Sequence, residues 1–236
     1  MPPKVICAKT EKIISGFYDG IFHFYEAANI FLTFGLIRLW RRKAAKLALK
    51  ENPSSCLDLC CGAGDFTLLL DKLSSKPIKI TGFDLNPSML EKARARGNFT
   101  FILGSAAKLP FNDNSFDLAT ISFASRNINI SRDFFIAALK EARRVLKPEG
   151  VFINLETSRP ENPLIHKFFI TYTKTIIAIL CLISPKNKKA YHFLANSITS
   201  FYTAKDLSEI LKKAGFKKPE FSYLFFGAAA IHKAIK

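Results

Sequence analysis

Along residues 55–160, short runs of β-branched, aliphatic and aromatic residues alternate with stretches of helical period. Strands are predicted at "SCLDLC" (55–60), "IKITGFD" (78–84), "FTFIL" (99–103), "FDLATISF" (116–123) and "VFINLE" (151–156), where apolar runs end at turn-forming residues. Helices are predicted over 65–73, over 87–96 behind the Asn86-Pro87 start signal, and over 131–146. In the last of these Ser131 is placed to cap and Asp133 lies in the first turn. Phe134, Phe135, Ala138, Leu139, Ala142, Val145 and Leu146 repeat at the 3.6-residue period of a helix laid on a sheet. Strand and helix in strict alternation predict an α/β fold with a doubly wound, Rossmann-like sheet.

The flanks follow other patterns. Residues 1–50 are aromatic-rich with helical character, and form the expected N-terminal cover of a cofactor-binding core at 51–160. Residues 161–236 begin with a long apolar helix and a Lys-rich turn, continue as a helix ending at Gly215, and close with two strands joined at Gly227. The 236 residues, 49% of them hydrophobic, suit one large core and predict one domain with attachments. The apolar run "IIAILCLI" (176–183) is far below the roughly 20 residues of a spanning helix and is bracketed by Lys174 and Lys186, so no membrane crossing is expected. No secretory or mitochondrial address is visible at the N-terminus, which predicts a cytoplasmic protein.

Charge adds a question. The chain carries +16, concentrated in its flanks. Such a surface attracts nucleic acid, anionic lipid or acidic substrates, and a compositional bias toward Lys and Phe produces the same excess with no partner. No base-flipping tetrapeptide and no basic-aromatic stripe accompanies it, so no nucleic-acid partner is expected. The five cysteines, Cys7, Cys56, Cys60, Cys61 and Cys181, are odd in number and show no spaced pairs. They read as reduced, buried thiols, and no metal site is expected.

Candidate chemistry begins at "LDLCCGAGDF" (57–66). A glycine-rich turn between a strand and a helix lets backbone approach a ligand closely and points N–H groups at it. Asp84 ends the second strand 20 residues after Gly64, where a carboxylate accepts from both hydroxyls of a ribose. NAD and S-adenosylmethionine both carry that ribose. A dinucleotide turn wants a third glycine where Thr67 stands, and a pyrophosphate disfavours the nearby Asp58 and Asp65. Those charges suit an ammonium and a sulfonium, so the turn favours S-adenosylmethionine. Asp58 is a poor candidate for a mere structural residue, because a buried strand acid without a partner is costly. Asp65 serves equally well as a helix cap.

"DLCCGAGDFT", "FDLNPSML", "GSAAKLPFNDNSFDLATISFASRNI", "EARRVLKPEGVFINLE" followed by "SRP", and "YHFLANSI" together resemble the ubiquinone/menaquinone biosynthesis C-methyltransferases, class I S-adenosylmethionine enzymes. The opening "FYDGIFHFYEAAN" and "TFGLIRLWR" resemble the same family, and the likeness runs from about residue 16 to the C-terminus. "SFASRNI" and "YHFLANSI" are the stretches most specific to the quinone branch. The resemblance implies a seven-stranded sheet with an antiparallel last strand. It implies a cofactor turn at Gly62, Ala63 and Gly64, a ribose contact at Asp84 with Leu85 beside it, adenine neighbours Ser105 and Ala106, and Ser122 near the methionine part, with Asp58 also at the cofactor site. Departures from the family pattern occur at Ala63 for Thr, Glu26 for Asp, Phe193 for Tyr and Asn196 for Glu.

Methylating the ring carbon of a polyprenylated quinol calls for an ionised ring hydroxyl, excluded water and two reactants held in line. Arg126, behind the fourth strand, is the candidate for holding the phenolate, Asn127 for orienting a quinol oxygen, and Tyr25, with His23, for relaying the proton. The apolar helix around 164–183 could line a tunnel for the prenyl tail or rest on a bilayer, with "PKNKK" (185–189) meeting anionic headgroups. A core helix with a solvated loop is an equal reading. Two alternatives stand beside the leading one: methylation of another phenolic or lipophilic small molecule, and a non-catalytic cofactor-binding subunit. A homodimer is compatible with all three.

Overall fold

The structure, a computed structural model, describes Thr10, Glu11, Ile13, Ser15, Gly16, Phe17 and residues 28–236. The order of elements after a helical turn at 28–32 is α1 (Ile37–Leu49), β1 (Ser55–Leu59), α2 (Asp65–Leu73), β2 (Lys79–Asp84), α3 (Pro87–Arg94), β3 (Thr100–Leu103) and β4 (Phe116–Ser122). The one-turn α4 (Ser125–Ile128), α5 (Arg132–Val145), β5 (Leu146–Thr157), α6 (Pro163–Ile183), α7 (Lys188–Thr199), α8 (Ala204–Lys213), β6 (Lys217–Leu224) and β7 (Ala229–Ile235) follow.

Seven strands form one sheet in the order β3-β2-β1-β4-β5-β7-β6. Strands β1 to β5 pair in parallel, and β7 enters antiparallel between β5 and β6. The winding reverses at β1, with β2 on one side and β4 on the other. A crevice therefore opens beyond their carboxyl ends, where an open α/β sheet binds its ligand.

Local chemistry sets the helix starts. Asn86 accepts from Met89 N at 2.9 Å with Pro87 as the first helical residue, and Ser131 accepts from Phe134 N at 3.2 Å. One face of the sheet packs Leu57, Phe83 and Phe152 under α5 and α8, and the other packs Cys56, Ile80 and Ile153 under α1 and α2. A third apolar cluster lies apart from both, between α6 and α7, around Ile177, Leu180, Tyr191 and Leu194.

Two predicted boundaries differ. The segment after the Lys-rich turn is two helices, α7 and α8, because buried Phe201 interrupts it and Thr203 with Asp206 forms a capping box that starts the second. The fifth strand begins at Leu146, five residues early. Leu146 is already extended and buried, and the strand absorbs the Pro148–Gly150 turn as a shift in register against β4. The four described cysteines are free thiols. Burial, with Asp58 nearby, holds the thiols of Cys56, Cys60 and Cys61 well above their ordinary range, so they stay protonated.

Candidate active site

The turn between β1 and α2 enters the left-handed region three times in five residues, at Cys60 (φ 54°), Gly62 (φ 54°) and Gly64 (φ 81°). Gly62 donates its N–H to Asp84 Oδ2 at 2.8 Å and Asn86 N donates to Oδ1 at 2.8 Å, so Asp84 ties the two strand ends together. Each carboxylate oxygen keeps acceptor capacity for a ligand. Burial raises the Asp84 pKa, and the two N–H groups oppose that rise. Beneath the turn, Gly82 has no room for a side chain. A Cβ there would meet the Phe101 ring at 2.5 Å and Cys61 Sγ at 2.9 Å.

A cavity of about 330 Å³ opens over this turn. Gly62, Ala63, Asp84 and Leu85 line it, as do Ala106, Ser122 and Asn127 from beyond β3 and β4. Three other candidates stand elsewhere. Gly64 turns away from the cavity and caps α2, its hydrogen side facing Ala93 and Phe101. Ser105 donates to Glu11 Oε1 at 2.6 Å, and Glu11 rather than Ser105 faces the cavity. Asp58 lies under the turn, accepting from Thr67 Oγ1 at 2.7 Å and Thr120 Oγ1 at 2.8 Å. It does not line the cavity, and Thr67, which stands where a dinucleotide turn has its third glycine, is one of its two donors. Burial outweighs those two bonds and pushes the Asp58 pKa up to about 6.

Asp65 also departs from expectation. Arg41 of α1 reaches it at 3.1 Å and Arg96, after α3, at 2.6 Å, and Arg96 also donates to Ala63 O at 2.8 Å. Burial raises the Asp65 pKa, but the two guanidinium groups together outweigh it and hold the acid below its ordinary range. This corner of the cavity is thus cationic, and it suits a carboxylate better than an ammonium. Sequence reasoning assigned no role to Arg41 or Arg96. Arg41 was visible only as part of "RLWRR", and Arg96 carried no signal at all.

A second cavity of about 390 Å³ adjoins the first, with Phe123 in the wall of both. Its walls are apolar and come from distant segments: Phe34 and Trp40, Leu164 and Phe168 of α6, and Phe225 and Phe226. Its polar lining residues are Asn29, Thr33, Arg126, Thr157, Tyr172 and Thr173, and Arg126 is the one charged residue among them. Arg126 is no surface residue. Its Nη1 meets Glu156 Oε1 at 2.6 Å with both side chains 98–99% buried, and donates to Phe123 O at 3.0 Å. Glu156 also accepts from Arg126 N and from Thr157 N and Oγ1. Asn127 faces the cofactor side of the junction instead. Tyr25 and His23 fall outside the described residues.

The first cavity fits S-adenosylmethionine on its own features. Asp84 stands for the ribose, and Ser122 Oγ and Asn127 Oδ1 are buried in its wall with no partner among the described residues. Such buried groups call for one. The sequence model of the ubiE/COQ5 methyltransferase family matches residues 6–236. The chain belongs to that family. It is an S-adenosylmethionine-dependent methyltransferase. Among similar proteins, a demethylmenaquinone methyltransferase of Staphylococcus haemolyticus is 34% identical over 233 residues, covering 97% of this chain and 95% of that one. A Staphylococcus aureus protein of the same name is 34% identical over 216 residues, covering 90% and 88%. The fold is shared with a Thermotoga maritima structure described as a SAM-dependent methyltransferase, possible histamine N-methyltransferase, at TM-score 0.67 and 23% identity over 94% of this chain and 99% of that one. An Aquifex aeolicus SAM-dependent methyltransferase matches at TM-score 0.55 and 17% identity, over 81% and 88%.

Proposed function

We propose that the protein methylates a ring carbon of a polyprenylated quinol, either demethylmenaquinol or the related 2-methoxy-6-polyprenyl-1,4-benzoquinol. The observation that carries this reading is the pairing of cavities. A hydrogen-bonding cavity suited to the cofactor abuts a mostly apolar one whose single charged lining residue is the buried Arg126. The names of the staphylococcal relatives point the same way.

Bound S-adenosylmethionine supplies a methyl group made electrophilic by a sulfonium. Asp84 and the Gly62–Ala63 backbone hold the cofactor's ribose end, and the Arg41–Arg96 pair holds its carboxylate. Ser122 and Asn127 orient it at the junction with the apolar cavity. Phe123, set at φ 57° by a bond from its N–H to Leu155 O at 2.7 Å, separates the two cavities and excludes water from the junction.

Arg126 stabilises the phenolate form of the quinol. Its pairing with Glu156 lets a guanidinium be held at an apolar cavity without an uncompensated buried charge. A phenolate is therefore received by a site already neutral overall, and Arg126 lowers the cost of ionisation by hydrogen bonding rather than by net charge. Tyr25 relays the released proton, and Asn127 contacts the quinol oxygen where the cavities meet.

The test is transfer of label from methyl-labelled S-adenosylmethionine to short-chain demethylmenaquinol and 2-methoxy-6-prenyl-1,4-benzoquinol acceptors under reducing conditions. Label on a ring carbon of either acceptor is expected, and the preferred acceptor names the nucleus. The control is Arg126→Gln combined with Glu156→Gln, which removes both charges together and keeps the fold testable. Cofactor binding with no label on either acceptor would overturn the quinol reading, and label on oxygen would move the reaction to another phenol chemistry.

A further inference from the structure

Helix α6 turns apolar side chains outward at both ends, Leu164 and Phe168 toward its start and Ile179, Leu182 and Ile183 toward its end, with Thr171, Lys174 and Thr175 exposed between them. Its buried positions are Thr173, Ile177 and Leu180, while Leu164, Phe168, Thr171, Thr175, Ala178, Ile179 and Leu182 recur outside at intervals of three and four residues. Leu164 is 79% exposed and Leu182 81%, with Ile183 exposed beside it. Large apolar side chains exposed together in this way mark a site of interaction. The first half of α6 borders the mouth of the apolar cavity, where Phe34, Phe225 and Phe226 are also exposed. Its far end runs into Lys186, Lys188 and Lys189, all exposed.

We infer that this face docks the protein on an anionic phospholipid bilayer, with α6 lying in the interfacial plane and the apolar cavity opening toward the lipid. Charge selects this occupant. The sequence has no Asp or Glu from residue 162 to 205 and none from 27 to 50, where exposed Arg38 and Arg42 flank exposed Leu39. Two copies meeting through this face would bring like charge against like, whereas an anionic lipid surface complements it. Lys167 and Lys174 stand on the exposed face and can extend their ammonium groups to the headgroups while their stems stay in apolar contact.

Helix α6 is long and apolar enough to cross a membrane, at mean hydropathy 1.4 over its most apolar stretch. It nonetheless lies on the surface, because both ends belong to the fold. Asn162 caps its start five residues after β5, and its buried side packs on α7, whose outer face carries Lys188 and Lys189. A helix held on one side by a soluble layer, apolar on the other and basic at its end is an interfacial helix. The docking rests on these surface features alone. Its use in admitting a prenylated acceptor rests on the quinol reading.

The experiment is flotation of the full-length protein with vesicles of phosphatidylglycerol and phosphatidylcholine, compared with phosphatidylcholine alone. Sedimentation and methyl transfer to a water-soluble short-chain quinol are measured in parallel. The expected result is binding to the anionic vesicles that weakens as salt rises. The pair Ile179→Glu and Leu182→Glu, neither of which lines a cavity, lowers partitioning by at least about tenfold through lost apolar contact. Each of Lys186→Glu, Lys188→Glu and Lys189→Glu lowers it by about fivefold or more on anionic vesicles only. Turnover of the soluble acceptor is unchanged in all of them.

Failure of the wild type to float with anionic vesicles at low salt would overturn the docking, as would variants that float like it. A wild-type dimer that the Ile179/Leu182 pair converts to monomer, without vesicle binding, would assign the face to a second copy. Vesicle binding without turnover on any quinol would sink the substrate reading alone, and turnover without vesicle binding would sink the docking alone.

Discussion

The two cavities that share Phe123 are both shaped by left-handed backbone, with glycine at two of three positions in one and phenylalanine at all of them in the other. Over the cofactor turn the left-handed positions are Cys60, Gly62 and Gly64. Around the apolar cavity they are Phe34, Phe123, Phe225 and Phe226, at φ between 43° and 57°. A glycine adopts this region freely, whereas an L-residue pays about 1–2 kcal/mol for it. At the glycine turn the conformation brings bare backbone to a ligand. At the apolar cavity the same conformation aims large rings at it, and the strain is offset by the rest of the fold, a pattern that concentrates at functional sites. One backbone device thus lines both cavities, with the residue deciding whether bare backbone or an aromatic ring faces the space.

The largest expected effect tests what lies under the phenylalanine side. Glu156→Ala leaves the Arg126 guanidinium buried without its carboxylate, and destabilisation of about 3–5 kcal/mol is expected. Equilibrium unfolding in urea measures it. Glu156→Gln combined with Arg126→Gln should recover most of that loss while leaving turnover low, because the double change removes the buried charges but also the proposed partner of the phenolate. A Glu156→Ala protein as stable as wild type would show that the pair does not hold this cavity together.

Beneath the glycine side the corresponding buried acid is Asp58, and here the expectation is a dependence on pH. Its pKa is about 6 in the fold against an ordinary 3.8, so the folded protein binds this proton more tightly than the unfolded chain does. A raised folded pKa contributes stability that is fully present below about pH 4 and is lost as pH rises through about 6. Across that window the change is about 3 kcal/mol. Asp58→Asn keeps the shape between Thr67 and Thr120 and cannot ionise, so the wild type should lose stability relative to this variant as pH rises from 4 to 7. Urea midpoints of the two proteins at several pH values measure the difference, which isolates Asp58 from the other carboxylates. A difference that stays flat would mean that the two threonine bonds, rather than burial, set the state of this acid.

These two regions were unequally legible in the sequence. The strand-turn-helix alternation, the Asp84 strand end and the Ser131 cap could be read because each depends on residues close in the chain. The glycine turn was legible for the same reason. The positions that the fold corrects involve partners far away. Asp65 was read as a charge suited to a cationic ligand or as a helix cap, whereas Arg41, 24 residues before it, and Arg96, 31 after it, close on it. Arg126 was named as a candidate, but its buried partner, Glu156 of β5, lies 30 residues on and carried no signal. The apolar cavity was read only in part: Phe34 lies in "TFGLIRLWR" and Phe168 on the helix expected to line a tunnel, but Phe226 carried no signal and the three meet only in the folded chain. Nothing in a phenylalanine's letter reveals a left-handed backbone, whereas a glycine suggests it.

The smallest effect exchanges the two residue choices directly. Gly62 sits at φ 54° with nothing within 4 Å of where a Cβ would stand, so Gly62→Ala meets no neighbour and its cost is conformational. Strain of about 1–2 kcal/mol, less the 0.4–1 kcal/mol gained by restricting the unfolded chain, leaves a net loss near 1 kcal/mol. The new methyl group also intrudes on the cofactor cavity. Phe226, at the same φ of 54° and 76% exposed, reverses each sign. Phe226→Gly relieves the strain and frees the unfolded chain, and the ring it removes is mostly in solvent, so stability should hold or rise by up to about 1 kcal/mol. Its cost should fall on the acceptor, as a KM for a long-chain quinol raised severalfold with kcat and cofactor affinity unchanged. Thermal unfolding and steady-state kinetics on both variants check the pair. Should Phe226→Gly destabilise the fold by more than about 1 kcal/mol, the ring would be a packing element of the rim. The left-handed phenylalanines would then be a consequence of folding rather than a surface shaped for a lipophilic acceptor.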